Sequence, residues 1–167
     1  TIVTEKDGLH SENEDDESLG YIYIQNGTIK IAAADDAIHG TSVIQIDGGT
    51  IDIVTSSEGI EANYVLINDG IINIYATDDG INASQKSNLD VTIEVNGGHI
   101  TINMASGDTD GFDSNGDLFI NGGFIDVTGG STFDVDGVAE FNSGTVKVNG
   151  EEVSELPASQ MGGRKRG

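Results

Sequence analysis

Six glycines divide the chain into near-equal lengths: Gly27, Gly49, Gly70, Gly98, Gly123 and Gly144 lie 22, 21, 28, 25 and 21 residues apart. Each sits in the same apolar phrase. Two residues after them come Ile29, Ile51, Ile72, Ile100, Ile125 and Val146, and four after them Ile31, Ile53, Ile74, Ile102, Val127 and Val148. Three residues before them come Ile24, Ile46, Ile67, Val95, Ile120 and Phe141; two further back lie Ile22, Ile44, Val65, Ile93, Leu118 and Ala139. Within a unit the apolar period is two, the signature of a half-buried strand, and β-branched residues suit it. The i, i+3, i+4 spacing of a helix is not sustained anywhere. Two short strands per unit cannot bury their apolar faces alone, so the units must stack into one continuous core. The chain is therefore expected to be all-β, a right-handed parallel β-helix of about six coils with a repeat of about 21–22 residues. At about 4.8 Å per coil the rod is roughly 29 Å long.

Other repeat architectures fail on length or spelling. A propeller blade needs about 40 residues, and a leucine-rich repeat needs its Leu and Asn pattern. The pattern defines one solenoid domain over residues 1–153, followed by a mobile glycine-rich basic tail over 154–167. The chain starts inside a repeat unit, as a processed fragment would. Two insertions, residues 11–18 in the first coil and 83–89 in the fourth, should loop out from one edge, where solenoids commonly place binding loops. Asn68, Asn96, Asn121 and Asn142 share one turn column with Gln25 and Asp47, the arrangement of an amide ladder or of simple turn preference.

Charge then limits the partners. Asp and Glu number 29 against 7 Lys and Arg, a net charge of −22. Nucleic acid and anionic membranes need Lys and Arg to neutralise them, so neither is an expected partner. No apolar stretch is long enough for membrane insertion as a helix. There is no cysteine, which excludes disulfides, thiolate zinc and cysteine nucleophiles. Divalent cations are the natural counter-ligand.

The acidic residues recur in one turn of each unit. It reads Asp7-Gly8-Leu9-His10, Asp36-Ala37-Ile38-His39, Glu58-Gly59-Ile60-Glu61, Asp79-Gly80-Ile81-Asn82 and Asp110-Gly111-Phe112-Asp113, with Asp134-Val135-Asp136 as a degenerate last copy. The apolar third residue should point inward and the flanking carboxylates outward. Stacking then puts Asp36, Glu58, Asp79 and Asp110 in one column, with Asp35, Asp78 and Asp108 adding charge. A second column holds His39, Glu61, Asn82, Asp113 and Asp136. Like charges about 4.8 Å apart repel by about 3–4 kcal/mol at an effective dielectric of 20. No Lys or Arg occupies the neighbouring turn positions. Calcium, which takes six to eight oxygens in loose geometry, is the expected cofactor. Its expected ligands are Asp35, Asp36, Glu58, Glu61, Asp78, Asp79, Asn82, Asp108, Asp110 and Asp113. Against calcium stands the plainer reading, that Asp-Gly favours turns and the charge keeps the rod soluble. Zinc is disfavoured, since only His10 and His39 share a column.

The phrases Asp79-Gly80-Ile81-Asn82, Ser57-Glu58-Gly59-Ile60-Glu61 and Asp47-Gly48-Gly49-Thr50-Ile51-Asp52-Ile53 resemble a bacterial family of β-helical carbohydrate-binding domains, long described only as a domain of unknown function. The resemblance runs from Lys6 to about Val148. It implies a right-handed parallel β-helix similar to pectate-lyase-like folds, calcium in the acidic turns, and binding of plant cell-wall or acidic polysaccharide. The chain departs from the family at Ala37, where glycine is usual, and at Phe133-Asp134-Val135.

Three function classes compete. A polysaccharide lyase of this shape needs Lys or Arg beside calcium, but the only arginines are Arg164 and Arg166, and the solenoid lysines Lys6, Lys30, Lys86 and Lys147 form no centre. The expectation is a non-enzyme. A structural or adhesive surface protein, or a filament subunit, is the alternative, because open strand edges at the rod ends allow end-to-end self-association. The reading that the resemblance favours is an extracellular or cell-surface bacterial binding domain for polyuronate or cellulose-like polysaccharide. Outward tyrosines, Tyr64 and Tyr75 foremost, are the expected sugar contacts.

Overall fold

A computed structural model describes residues 1–13, 15–107 and 109–157. Those residues contain strands and no helix, and every unit winds once around a shared apolar core. A coil has three strands, not two: Thr28–Ala33, Ile38–Gly40 and Val43–Ile46 are the second coil, and each begins a parallel pairing with its equivalent in the next. The additional strand, Ile38–Gly40 in this coil, is the acidic motif itself. Sequence reading takes it for a turn because it is short, and because Asp-Gly is a strong turn signal.

Three parallel sheets result. The first runs Ile2–Thr4, Thr28–Ala33, Thr50–Thr55, Ile71–Ala76, His99–Met104, Phe124–Thr128 and Thr145–Val148. The second runs Leu9–Ser11, Ile38–Gly40, Ile60–Ala62, Asp79–Ala83, Asp110–Ser114 and Ser131–Val135. The third, from Tyr21–Ile24 to Ala139–Phe141, closes each coil. The registers match the glycine alignment residue for residue. Ile29 pairs Ile51, Ile51 pairs Ile72, Ile72 pairs Ile100, and Ile100 pairs Ile125. From Ile51 to Val146 this ladder is fully buried, with Ile29 half-buried at its start. Each fully buried Ile or Val contributes roughly 1.5–3 kcal/mol, partly offset by chain ordering.

The aligned glycines have a clear backbone role. All six take positive φ, from 89° to 130°, at the corner between the third and first sheets, a region that costs other residues strain. Beside them the turn column forms a hydrogen-bonded amide ladder. Asn68 Nδ2 donates to Asp47 Oδ1 at 2.7 Å. Asn96, Asn121 and Asn142 each donate to the residue one coil back at 2.9 Å.

The C-terminal end carries a cap that the repeat pattern does not reveal. Asn149 and Gly150, both at positive φ, turn the chain so that Glu151–Val153 pairs antiparallel with Thr145–Val148. Asn-Gly is the strongest short hairpin signal. Leu156 then packs against the core, beside Val135, Ala139 and Phe141. Parallel growth of the first sheet stops there, which narrows the open-ended stacking expected from the repeat. The expected tail lies mostly outside the described residues, which end at Pro157.

Candidate cation and carbohydrate site

The second sheet carries the titratable residues, and glycine lets its coils approach. A Cβ at Gly59 would lie 2.3 Å from Gly80 O and 2.6 Å from Ile74 Cγ2; at Gly80 it would lie 2.5 Å from Gly111 O and 2.6 Å from Ile102 Cγ2. Glycine is present because the neighbouring backbone passes too close for a side chain, a recurrent reason for glycine inside a strand.

Strand register defines two columns on the outer face. Asp79 is opposite Asp110, and Asp110 is opposite Ser131. Two residues back from the Ile38, Ile60, Ile81 ladder, Asp36 and Glu58 continue the first column. The second column is His10, His39, Glu61, Asn82, Asp113 and Asp134. Asp134 thus belongs to the second column, and Asp136 to neither. Phe133 stacks on Phe112 with ring centroids 5.2 Å apart, so the last copy is shifted two residues from the expected alignment. The residues do not simply point into solvent. Asp36, Glu61, Asp79 and Asn82 are all about nine-tenths buried, because each is walled by the coils on both sides.

The column divides into two electrostatically different halves. In the N-terminal half, His39 Nδ1 lies 2.9 Å from both Asp36 Oδ2 and Glu61 Oε2, and Lys86 Nζ lies 2.6 Å from Glu61 Oε1. Lys86 comes from the fourth-coil insertion, residues 84–91, so a cation does reach the column by a route that turn positions do not disclose. His10 stacks on His39 at 4.9 Å and is bonded to Asp7. In the C-terminal half, Asp79, Asp110 and Asp113 bring carboxylate oxygens within 4.8 Å of one another. Asp79 Oδ1 accepts from Asp110 N at 3.2 Å. Among the described residues no lysine, arginine or histidine forms an ion pair with Asp79 or Asp113.

Asn82 links the halves. Its Nδ2 donates to Glu58 Oε2 at 3.0 Å, while its buried Oδ1 has no hydrogen-bond partner. A buried orphan carbonyl costs about 1–3 kcal/mol. One strand position from Asp113 and three residues from Asp79, it supplies a neutral oxygen of the kind calcium accepts.

The titration behaviour follows this division. Burial pushes Asp79 up to about 7, aided by Asp113, Asp78 and Asp110. Burial, with Asp110, Asp134 and Asp136 nearby, pushes Asp113 up to about 6. Glu58 rises to about 8 through burial and the charges of Glu61, Asp36 and Asp79. Asp36 is also raised, mainly by burial. Burial opposes ionisation of Glu61, yet hydrogen bonds from His39 and Lys86 hold it down at about 2. Bonds to Asp36 and Glu61 lift His39 to about 10.

A pH dependence follows without calcium. Folded Asp79, Asp113 and Glu58 hold protons that the unfolded chain releases near 3.8, 3.8 and 4.5. Their stabilising contribution is full below those values and is lost as pH rises through about 6 to about 8. His39 acts in the same direction between 6.5 and about 10. Glu61 has the opposite sign, contributing above 4.5 and losing its effect only toward about 2. The melting temperature in chelator is therefore expected to fall by several degrees from about pH 5 to about pH 8. Thermal denaturation across that range checks it.

The other expected residues scatter. Asp35 and Asp78 are exposed at the rim, Asp35 close to Asp7 and Asp36. Asp108 lies outside the described residues. Tyr64 sits on the third sheet, its hydroxyl bonded to Glu94, which with burial raises its pKa. Tyr75 projects from the first sheet, beside Asn73, Asn103, Lys30 and Asp52. The two tyrosines are on different sides of the rod and form no shared platform.

Fold and columns together define a parallel β-solenoid domain built around a buried acidic face. A model of the carbohydrate-binding domain-containing protein family matches residues 1–111, well over half of the 167, and the chain belongs to that family. No curated protein and no solved structure matches it. The matched region covers the first four coils and reaches Asp110.

Proposed function

We propose that this chain is a non-catalytic, extracellular bacterial domain that binds acidic polysaccharide through calcium held by Asp79, Asn82, Asp110 and Asp113. The observation that carries the reading is the buried orphan Asn82 Oδ1, opposite Asp113 in the strand register and in the same stretch of the column where the carboxylates of Asp79, Asp110 and Asp113 converge. The donor set is oxygen only and mixes charged with neutral ligands, which suits calcium and not zinc. A bound divalent ion would relieve the repulsion that raises Asp79 and Asp113. The exposed carboxylates Asp78 and Asp136 border the cluster, so a polyuronate chain and this face repel unless a shared cation bridges them. The non-catalytic reading is supported by the family match and by the engagement of His39 and Lys86 with Glu61.

A second reading rests on Tyr75. It is exposed in a shallow groove with Asn73 and Asn103, a stacking ring flanked by amides that suits a neutral cellulose-like chain. A glycan array probed with and without calcium separates the two. Polyuronate signal that disappears in chelator supports the first, and neutral-glucan signal that persists in chelator and disappears in Tyr75→Ala supports the second. Polyuronate signal unchanged by chelator would overturn the calcium reading.

A further inference from the structure

The fourth coil is lengthened by an insertion, residues 84–91, and the structure shows what holds it. Asn63, fully buried, accepts at Oδ1 from Lys86 N at 3.0 Å and Ser87 N at 2.9 Å. Its Nδ2 donates to Leu89 O at 2.9 Å and Asp90 O at 3.2 Å. The far side is tied by Asn88 N donating to Glu17 Oε1 at 2.8 Å, a residue of the first-coil insertion. A loop anchored on both sides places Lys86 over the acidic column. Its Nζ lies 2.6 Å from Glu61 Oε1, while His39 Nδ1 lies 2.9 Å from Glu61 Oε2. Glu61 therefore has a cation on each oxygen. One and two coils further, Asn82 and Asp113 occupy the same column, and no lysine among the described residues pairs with Asp113.

Resting on the calcium reading above, we propose that Lys86 is a tethered counter-cation occupying the place a second divalent ion would take. The column then binds one divalent ion, at the fourth and fifth coils, and Lys86 sets that number. The physical basis is local. Exposed ion pairs contribute little, but Glu61 is only 10% exposed in its side chain and Lys86 21%, so solvent screens this pair poorly. The backbone bonds to Asn63 and Glu17 fix the loop, so the ammonium is held at its place with less entropy left to lose. An ion arriving beside Glu58 and Glu61 would meet this positive charge. At Asp79 and Asp113 no cation among the described residues forms an ion pair. The sequence pattern alone, with near-identical acidic motifs, suggests one ion per coil; the insertion breaks that equivalence.

Calorimetric titration with calcium alone tests the proposal, using the full chain, Lys86→Gln, Lys86→Arg and the double variant Lys86→Gln/Glu61→Gln. The expected stoichiometry is one ion for the unmodified chain and for Lys86→Arg, two for Lys86→Gln, and one again for the double variant. Asp113→Asn combined with Lys86→Gln should lose the first ion and keep the second. If Lys86→Gln fails to fold in chelator, recovery of its fold by calcium supports the proposal. Failure to recover while Lys86→Arg folds normally overturns it, as does a folded Lys86→Gln that still binds one ion with unchanged affinity. Two ions on the unmodified chain, the second lost in Glu61→Gln, would also overturn it. No binding by the unmodified chain would overturn the calcium reading itself, a result distinct from Lys86→Gln staying at one.

Discussion

Replacing Ile72 with aspartate is expected to abolish cooperative folding of the rod. Ile72 is fully buried at mid-ladder, between Ile51 and Ile100. A carboxylate there has no partner, and the cost is on the order of 5 kcal/mol or more, comparable with the whole stability of a domain. Each coil is stabilised by its neighbours, so a break in the centre separates two short stacks that cannot bury their ends. Ile72→Ala should cost a milder ~2–5 kcal/mol through lost contacts and a cavity. Ile71 supplies the control: it is the adjacent residue, points outward and is about half exposed, so Ile71→Asp should melt within a few degrees of the unmodified chain. Circular dichroism melts of the three variants decide it. Equal effects at positions 71 and 72 would contradict the inward-outward assignment of the first sheet.

The second large effect concerns Asp79 and Asp113. Converting both to asparagine keeps shape and removes two charges that burial and neighbouring carboxylates disfavour. In chelator the double variant is expected to melt higher than the unmodified chain at neutral pH, because the repulsion is gone. With calcium the order should reverse. A ligand at about 100 times its dissociation constant stabilises the native state by about 2.7 kcal/mol, several degrees for a chain of this size, and the double variant should lose that gain. An undiminished calcium response in the double variant would place the ion elsewhere.

How much of this was legible in the sequence depends on which residues are considered. The isoleucine ladders and the positive-φ glycines were readable, since a period of two and a fixed repeat leave one way to bury Ile51, Ile72 and Ile100 together. The amide column of Asn68, Asn96, Asn121 and Asn142 was visible as spacing, and its bonding needed coordinates to separate it from turn preference. The acidic strand was misread as a turn, because Asp79-Gly80 looks the same whether glycine serves positive φ or close coil approach. Lys86 was invisible as a column residue. Its position comes from a loop folded back by Asn63, and no periodicity encodes that contact. The shift at Phe133 was missed for a related reason: stacking on Phe112 sets the register there, overriding the acidic spelling of Asp134-Val135-Asp136. Asn149-Gly150 was readable in principle as a hairpin, but it falls where the repeat ends and attention to the repeat hides it.

The central claim is that a calcium ion at the Asp79, Asn82, Asp110 and Asp113 cluster bridges this acidic surface to an acidic glycan. Calorimetric titration of the calcium-loaded chain with oligogalacturonate, repeated in chelator and with Asp113→Lys, tests it most directly. That substitution changes the net charge by two, from −22 to −20, so simple electrostatics favours tighter binding of a polyanion. Bridging requires the opposite: binding in calcium, none in chelator, and none for folded Asp113→Lys even with calcium present. Binding that survives chelator, or that strengthens in Asp113→Lys without calcium, would contradict the account.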